Sequence, residues 1–292
     1  MSILLFLAQT LRIAIPYLFA AAGGALAERA GVVSLTLEGF MLSGAFGAVI
    51  GAHYTGSAWI GVVTGVAAGL LMGAVHAICS IRYKADQIVV GVAINLFVVG
   101  ITRFFLQLAF DSSSNSPRVA GFGGDGGASA AAFLVNPLVW VGLIVMPLLW
   151  WIVQRTTFGL RVRAVGEHPQ AAASVGVPVS RVRYVAVIGS GALAALGGVY
   201  LALDQHQFTD SMTAGRGFIA LAAVIFGRWD PLRAGIACVL FAAAETLQIQ
   251  LQSAQLIPSQ FVAMIPYVLT IVAVAGVVGR STPPAALGRT GE

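Results

Sequence analysis

The spacing of charge constrains this chain more than any other feature. Apolar runs of about 20 residues, the length of a membrane-crossing helix, recur along the whole sequence. Asp, Glu, Lys and Arg fall almost entirely between them. Only 9% of the 292 residues are charged, 58% are hydrophobic, and mean hydropathy is +0.91. A soluble domain carries about 25% charged residues. So few charges cannot cover a water-facing surface, and lipid must be the solvent for much of the chain. The fold class this implies is all-α, a polytopic membrane helix bundle.

A ruler of about 20 residues per crossing places helices near 3–25, 57–81, 87–110, 132–153, 184–203, 232–250 and 259–279. Two shorter apolar stretches, 40–51 and 218–227, each follow a Gly-rich polar break. They read as broken or partly re-entrant helices. Counting both gives about nine crossings, within a range of eight to ten, in a single transmembrane domain over 1–292. The N-terminal apolar run begins without a basic segment and continues past Arg12 with no small-residue cleavage site, so it reads as a first helix and not a signal peptide. Cys79 and Cys238 lie apart inside apolar runs and read as small core residues.

Orientation follows from the arginines. The connection 154–184 holds Arg155, Arg161, Arg163, Arg181 and Arg183 against one acid, Glu167. Placing it in the cytoplasm and alternating outward puts Arg29, Arg82, Lys84, Arg228, Arg233, Arg280 and Arg289 there too, twelve of the sixteen basic residues. Asp111, Asp125, Asp204 and Asp210 fall on the other side, the asymmetry that positive-inside orientation produces. With both short helices crossing, the N-terminus lies outside. The net charge of +5 and pI near 9.7 thus orient the chain. No basic stripe with interleaved aromatics points to nucleic acid.

A faint repeat is visible. Glu38-Gly39-Phe40 before MLSGAFGAVIGA resembles Arg216-Gly217-Phe218 before IALAAVIFGR, and each unit is followed by a short polar turn and a long apolar helix. An odd number of crossings separates the units, so they run in opposite directions. Inverted repeats with broken helices mark transporters, with the solute path where the repeats meet.

Most chemical motifs are absent. A phosphate-binding GxxxxGK[ST] loop needs a lysine after glycine, and the one lysine, Lys84, follows Tyr83. The chain therefore does not bind ATP by that motif, and no cofactor is expected in it. Gly121, Gly123 and Gly126 fit G-x-G-x-x-G but sit in a Ser/Gly/Asn-rich external loop, 111–131, where flexible linker is the better reading. His53, His76, His168 and His206 have no metal-ligand spacing, and Gly189-Ser190-Gly191 lacks the residue that an intramembrane serine protease motif needs. No catalytic residue and no metal site are expected. Gly61, Gly65, Gly69 and Gly73 recur every four residues and read as a face for close helix packing. Ionisable groups in or beside the spans are Arg12, Glu38, Arg103 and Glu245, and polar groups within membrane often mark a pathway. Glu38, Asn95, Gln107 and Glu245 are the candidate lining of a solute path, against a competing role in interhelical bonding.

The basic connection is the most informative segment. Gly166-Glu167-His168-Pro169 reads as a turn entering a short helix with Pro169 near its start. Gln170-Ala171-Ala172-Ala173-Ser174 supplies the helix, and Gly176 with Pro178 ends it. Orientation explains the arginines but not the helix between them, which suits insertion into another protein's groove.

This segment resembles the coupling-helix loop of permease subunits of ABC-type importers, in the branch serving nucleosides, ribose and branched-chain amino acids. ERAGVVSLTLEGFMLSGAFGA is similar to that family's early signature, ADQIVVGVAINLFVVGITRFF to the helix that follows, and GRGFIALAAVIFGRWDPLRA to a late segment of the nucleoside members. Ser34 stands where many relatives carry Asn. The resemblance implies an ATP-driven importer for a small polar solute, foremost a nucleoside, in the cytoplasmic (inner) membrane. It further implies cytoplasmic ATPase domains, a second permease subunit in a heterodimer, and an extracytoplasmic solute-binding lipoprotein. By this likeness Gly166, Glu167, His168, Pro169, Ala172 and Gly176 lie at the ATPase contact. The competing readings are the same machinery carrying a simple sugar or a branched-chain amino acid, and an ion-coupled secondary transporter.

Overall fold

A computed structural model describes residues 3–122, 135–254 and 282–289. Its helices are α1 (Ile3–Arg29), α2 (Leu37–Thr55), α3 (Ala58–Ala77, extended by a wider π turn over Ile78–Arg82), α4 (Gln87–Phe110), α5 (Pro137–Arg155), α6 (Thr157–Glu167), α7 (Pro169–Ser174), α8 (Val179–Gln205), α9 (Arg216–Phe226) and α10 (Pro231–Ala254). Among the described residues there is no strand, only an isolated bridge between Asn115 and Thr209. Among the described residues six helices are long and apolar enough to cross a membrane: Leu5–Arg29, Ala58–Arg82, Gln87–Phe110, Pro137–Arg155, Val179–Gln205 and Pro231–Gln252. The protein is a multi-pass membrane protein. The span expected at 259–279 lies outside the described residues, as does all of the glycine-rich run beyond Phe122 in the external loop.

Helix α8 is the hub, packed along α1, α2 and α3, while α5, α9 and α10 gather on α1. The glycine periodicity of α3 makes the tightest of these contacts possible. A Cβ at Gly61 would lie 2.8 Å from the Ala48 carbonyl of α2, and one at Gly73 would lie 3.1 Å from Cα of Ile188 on α8. With no side chain in the way the backbones approach and gain dispersion contacts, the main attraction available to helices in lipid. The glycine stripe thus serves packing within the subunit. Tyr17, Phe19, Phe40, Met41, Tyr200 and Phe208 fill the centre. By contrast α4 turns Leu96, Phe97, Phe104, Phe105 and Leu108 outward.

Two stretches of non-helical backbone enter the bundle from opposite ends, and α4 measures their depth. The Val33 amide donates to Gln87 Oε1 at 2.7 Å, and the Asn95 side chain holds both the Leu35 carbonyl (2.9 Å) and the Gly39 amide (2.8 Å). From Gln87 to Asn95 a helix rises about 12 Å, so residues 33–39 run alongside the first turns of α4 as the chain passes into α2. From the other end Arg103, about two turns further along α4, holds Asp210 at 2.6 Å, and the chain then descends to α9. Irregular backbone at such depth survives only where protein covers it and satisfies it. Ser34 and Thr36 are buried, the Ser34 amide reaches Glu28 Oε1 at 3.2 Å, and Thr36 Oγ1 lies 3.0 Å from His76 Nδ1.

Arg29 and Arg183, both expected at the basic end, are drawn together there, while Arg280 lies outside the described residues. Arg29 Nε donates to the Trp229 carbonyl (2.7 Å) and Arg183 Nε to the Ala30 carbonyl (3.3 Å), which brings the ends of α1, α8 and the turn after α9 together. Two expectations are corrected. The connection 154–184 carries a second helix besides the one expected from Pro169: α6 begins one residue after Thr156, whose hydroxyl accepts from the Gly159 amide at 3.1 Å. The stretch 40–51 is the middle of a 19-residue helix that already includes Glu38.

Candidate functional site

The two interrupted helices meet at their N-termini. Gly217, in the first turn of α9, abuts Glu38, in the first turn of α2; a Cβ at Gly217 would lie 2.9 Å from Glu38 Oε2 and nearer still to the Glu38 backbone. Gly215 takes φ +81° to turn the chain into α9, a conformation open to glycine. The Glu38 carboxylate receives the first amides of α9: Gly215 N–H at 2.8 Å to Oε1 and Gly217 N–H at 2.7 Å to Oε2, with the Thr213 hydroxyl at 2.6 Å to Oε1. A helix N-terminus presents unpaired amides and partial positive charge, so one carboxylate satisfies groups that lipid could not.

Behind this junction Arg216 binds Glu245 of α10 at 3.1 Å and also donates to the Met212 carbonyl at 3.3 Å. The Tyr17 hydroxyl of α1 donates to the other Glu245 oxygen. Three helices and the entry to α9 are thereby joined by a partly buried ion pair.

These bonds separate the four path candidates. Glu38 is taken up by α9, and both ends of the Asn95 amide are taken up by the entry to α2. Glu245 is paired with Arg216 and Tyr17. Gln107 stands apart, exposed on the outer face of α4 one turn beyond Arg103. The side chain of Arg103 is 55% exposed even while it holds Asp210. Sequence reading placed Arg216 only in the repeat and Asp210 only by side of the membrane, giving neither a partner, and passed over Tyr17. The signal for Arg216 was present, a charge opening an apolar run just as Glu38 does; for Tyr17, a tyrosine inside an apolar helix, there was none.

At the arginine-rich end α6 and α7 form a protruding elbow. His168 precedes α7, Pro169 is its first residue, and Gly176 at φ +84° closes it, with Gly176 N–H to the Ala173 carbonyl and Val177 N–H to the Ala172 carbonyl, both 3.0 Å. Gly166 and Ala172 face inward. A Cβ on Gly166 would run into the Arg29 carbonyl, and the Gly166 carbonyl accepts from the Ala286 amide at 2.9 Å. The outward side carries Glu167, His168, Ala171, Ala173, Ser174 and Gly176, and Val175, which is 78% exposed. Among the described residues no three His, Cys, Asp or Glu side chains are grouped to hold a metal.

Interrupted helices meeting inside a multi-pass bundle, with an apolar-tipped elbow at the basic end, define a membrane transport permease. Residues 6–274 match the family model for the branched-chain amino acid transport system permease component, and the chain belongs to that family. It is 37% identical to the guanosine ABC transporter permease protein NupQ of Bacillus subtilis, over 96% of this chain and 93% of that one. It is 34% identical to the nucleoside ABC transporter permease protein NupC of Lactococcus lactis, over 94% and 92%. The fold is similar to a solved metal-chelate type ABC transporter in an inward-facing conformation, with a TM-score of 0.53 and 15% identity over 91% of this chain and 85% of that one.

Proposed function

We propose that this chain is the permease subunit of an ATP-driven importer in the cytoplasmic membrane and that its solute is a nucleoside. The observation that carries the solute class is the 37% identity to a guanosine permease across nearly the full length of both chains. The chain itself performs no covalent step. ATP is hydrolysed by cytoplasmic ATPase domains that dock on the elbow, with Glu167, His168, Pro169 and Gly176 on the contact side and Gly166 and Ala172 seating the elbow on the bundle. The exposed Val175 suits an apolar groove at the centre of that contact. A second permease subunit, paired as a heterodimer, covers the outward face of α4, because a 55% exposed Arg103 facing lipid would be costly. The solute path then runs along that covered face past Gln107 and Arg103. Glu38, Asn95 and Glu245 hold the interrupted helices that shape it. An extracytoplasmic binding lipoprotein delivers the solute.

The test is uptake of radiolabelled guanosine into proteoliposomes holding this permease, its partner permease, the ATPase and the binding protein. ATP-dependent uptake, competed by other nucleosides and not by ribose or leucine, is expected. Uptake driven by an ion gradient without the ATPase, or competition by ribose alone, would overturn the reading.

A further inference from the structure

The segment 282–289 lies at the arginine-rich end and hydrogen-bonds both to the elbow and to the backbone leading to α2, two parts that also meet directly where Gly166 packs on the Arg29 carbonyl. On one side it holds the elbow: Ala286 N–H donates to the Gly166 carbonyl at 2.9 Å, and Ala285 N–H to Glu167 Oε2 at 3.3 Å. On the other it holds the backbone that climbs toward α2. Gly288 N–H donates to the Gly31 carbonyl at 3.3 Å, and a Cβ at Gly288 would lie 3.5 Å from a Val33 methyl. It is no loose tail, since Pro284 and Ala286 are buried, Leu287 packs on the main core, and two turns brace the segment internally (Leu287 N–H to the Pro284 carbonyl, Arg289 N–H to that of Ala286). Gly31, at φ +86°, leaves room there: a Cβ would lie 3.3 Å from both the Ala286 carbonyl oxygen and Arg183 Nη2.

We propose that 282–289 is a positioning strap, tying the elbow to the entry of α2 so that displacement of one is delivered to the other. Gly166 sits at the end of α6, and residues 31–36 lead directly to Glu38 and the meeting point of the interrupted helices. Backbone hydrogen bonds on both flanks make strap, elbow and α2 entry one mechanical body. The inference rests on the elbow being where the ATPase docks.

The experiment uses the complete importer in proteoliposomes and reads uptake and ATP hydrolysis together. Wild type must first show ATP-driven uptake; if it does not, the functional reading fails, whatever the strap does. Ending the chain before Thr282, or substituting Ala286→Pro to remove the amide that binds Gly166, lowers solute moved per ATP about tenfold or more while hydrolysis stays within about twofold. A merely stabilising tail would lower both in proportion to the amount of assembled complex. The pair Val33→Cys with Gly288→Cys locks the strap to the α2 entry. If they move as one body, oxidised and reduced forms transport at rates within about twofold. Unchanged uptake per ATP after truncation would overturn the strap, and so would loss of uptake on oxidising the pair, which would show that strap and entry must part. Should truncation prevent assembly, the cysteine pair decides.

Discussion

Removing the Glu38 carboxylate separates its two possible roles. In Glu38→Ala the Gly215 and Gly217 amides and the Thr213 hydroxyl lose their acceptor at 2.6–2.8 Å. A buried donor left unsatisfied costs about 1–3 kcal/mol, and neighbouring losses do not simply add. Water entering beside a truncated side chain recovers part, so about 3–5 kcal/mol is the expected loss. For a chain of this size about 2–4 °C of melting temperature follows each kcal/mol, which predicts a fall of roughly 10 °C. Glu38→Gln keeps the oxygen facing Thr213 and Gly215 but turns an N–H₂ toward the Gly217 amide. It also removes the charge facing the α9 N-terminus, and the expected cost is about half as large. The assay is thermal unfolding of the purified permease in detergent, followed by size exclusion, beside uptake in proteoliposomes. A Glu38→Ala protein that melts within about 2 °C of wild type and transports normally would refute the capping role. Normal melting with lost uptake would assign Glu38 to the solute path instead.

Three further outcomes are expected. Gly69→Leu pushes α3 off α8, where a Cβ would sit 2.5 Å from the Gly191 carbonyl, and lowers the yield of folded protein several-fold by size exclusion; Gly100→Leu, with nothing within 4 Å, leaves it unchanged. In the Arg216 and Glu245 cycle, Glu245→Ala costs roughly 3 kcal/mol by stranding a partly buried guanidinium, and Arg216→Ala on top restores about half; additive melting shifts would show that the pair is uncoupled. Val175→Asp lowers co-purification of the ATPase about tenfold without shifting the permease melting temperature by more than about 2 °C, and retained ATPase would remove Val175 from the contact.

Much of this architecture is legible in the sequence because lipid allows few solutions. Apolar length locates α1, α3, α4, α5, α8 and α10, and the arginines orient them. The short helix from Pro169 is readable from proline, alanines and glycine alone. What periodicity conveys poorly is interruption. Glu38 broke the apolar run and so hid the true start of α2, because its charge is answered by Gly217, 179 residues further along the chain. Helix α6 was missed among its arginines, although Phe158, Val162 and Val165 carry a helical apolar spacing that could have shown it. The strap has no period to detect, and its bond to Glu167 spans 118 positions. The roles of Asn95 and Glu245 were undecidable for the same reason: polarity inside a span announces a partner but does not name it.

The Glu38 junction also has a consequence for synthesis. Helices α1 to α4 enter the bilayer before Thr213, Gly215 and Gly217 have been made, so during that interval the carboxylate lacks the donors that hold it in the finished molecule. The early helices therefore wait with Glu38 lacking these three donors. The final core can close only when α9 arrives, and assembly of the centre is ordered from the late half of the chain back onto the early half.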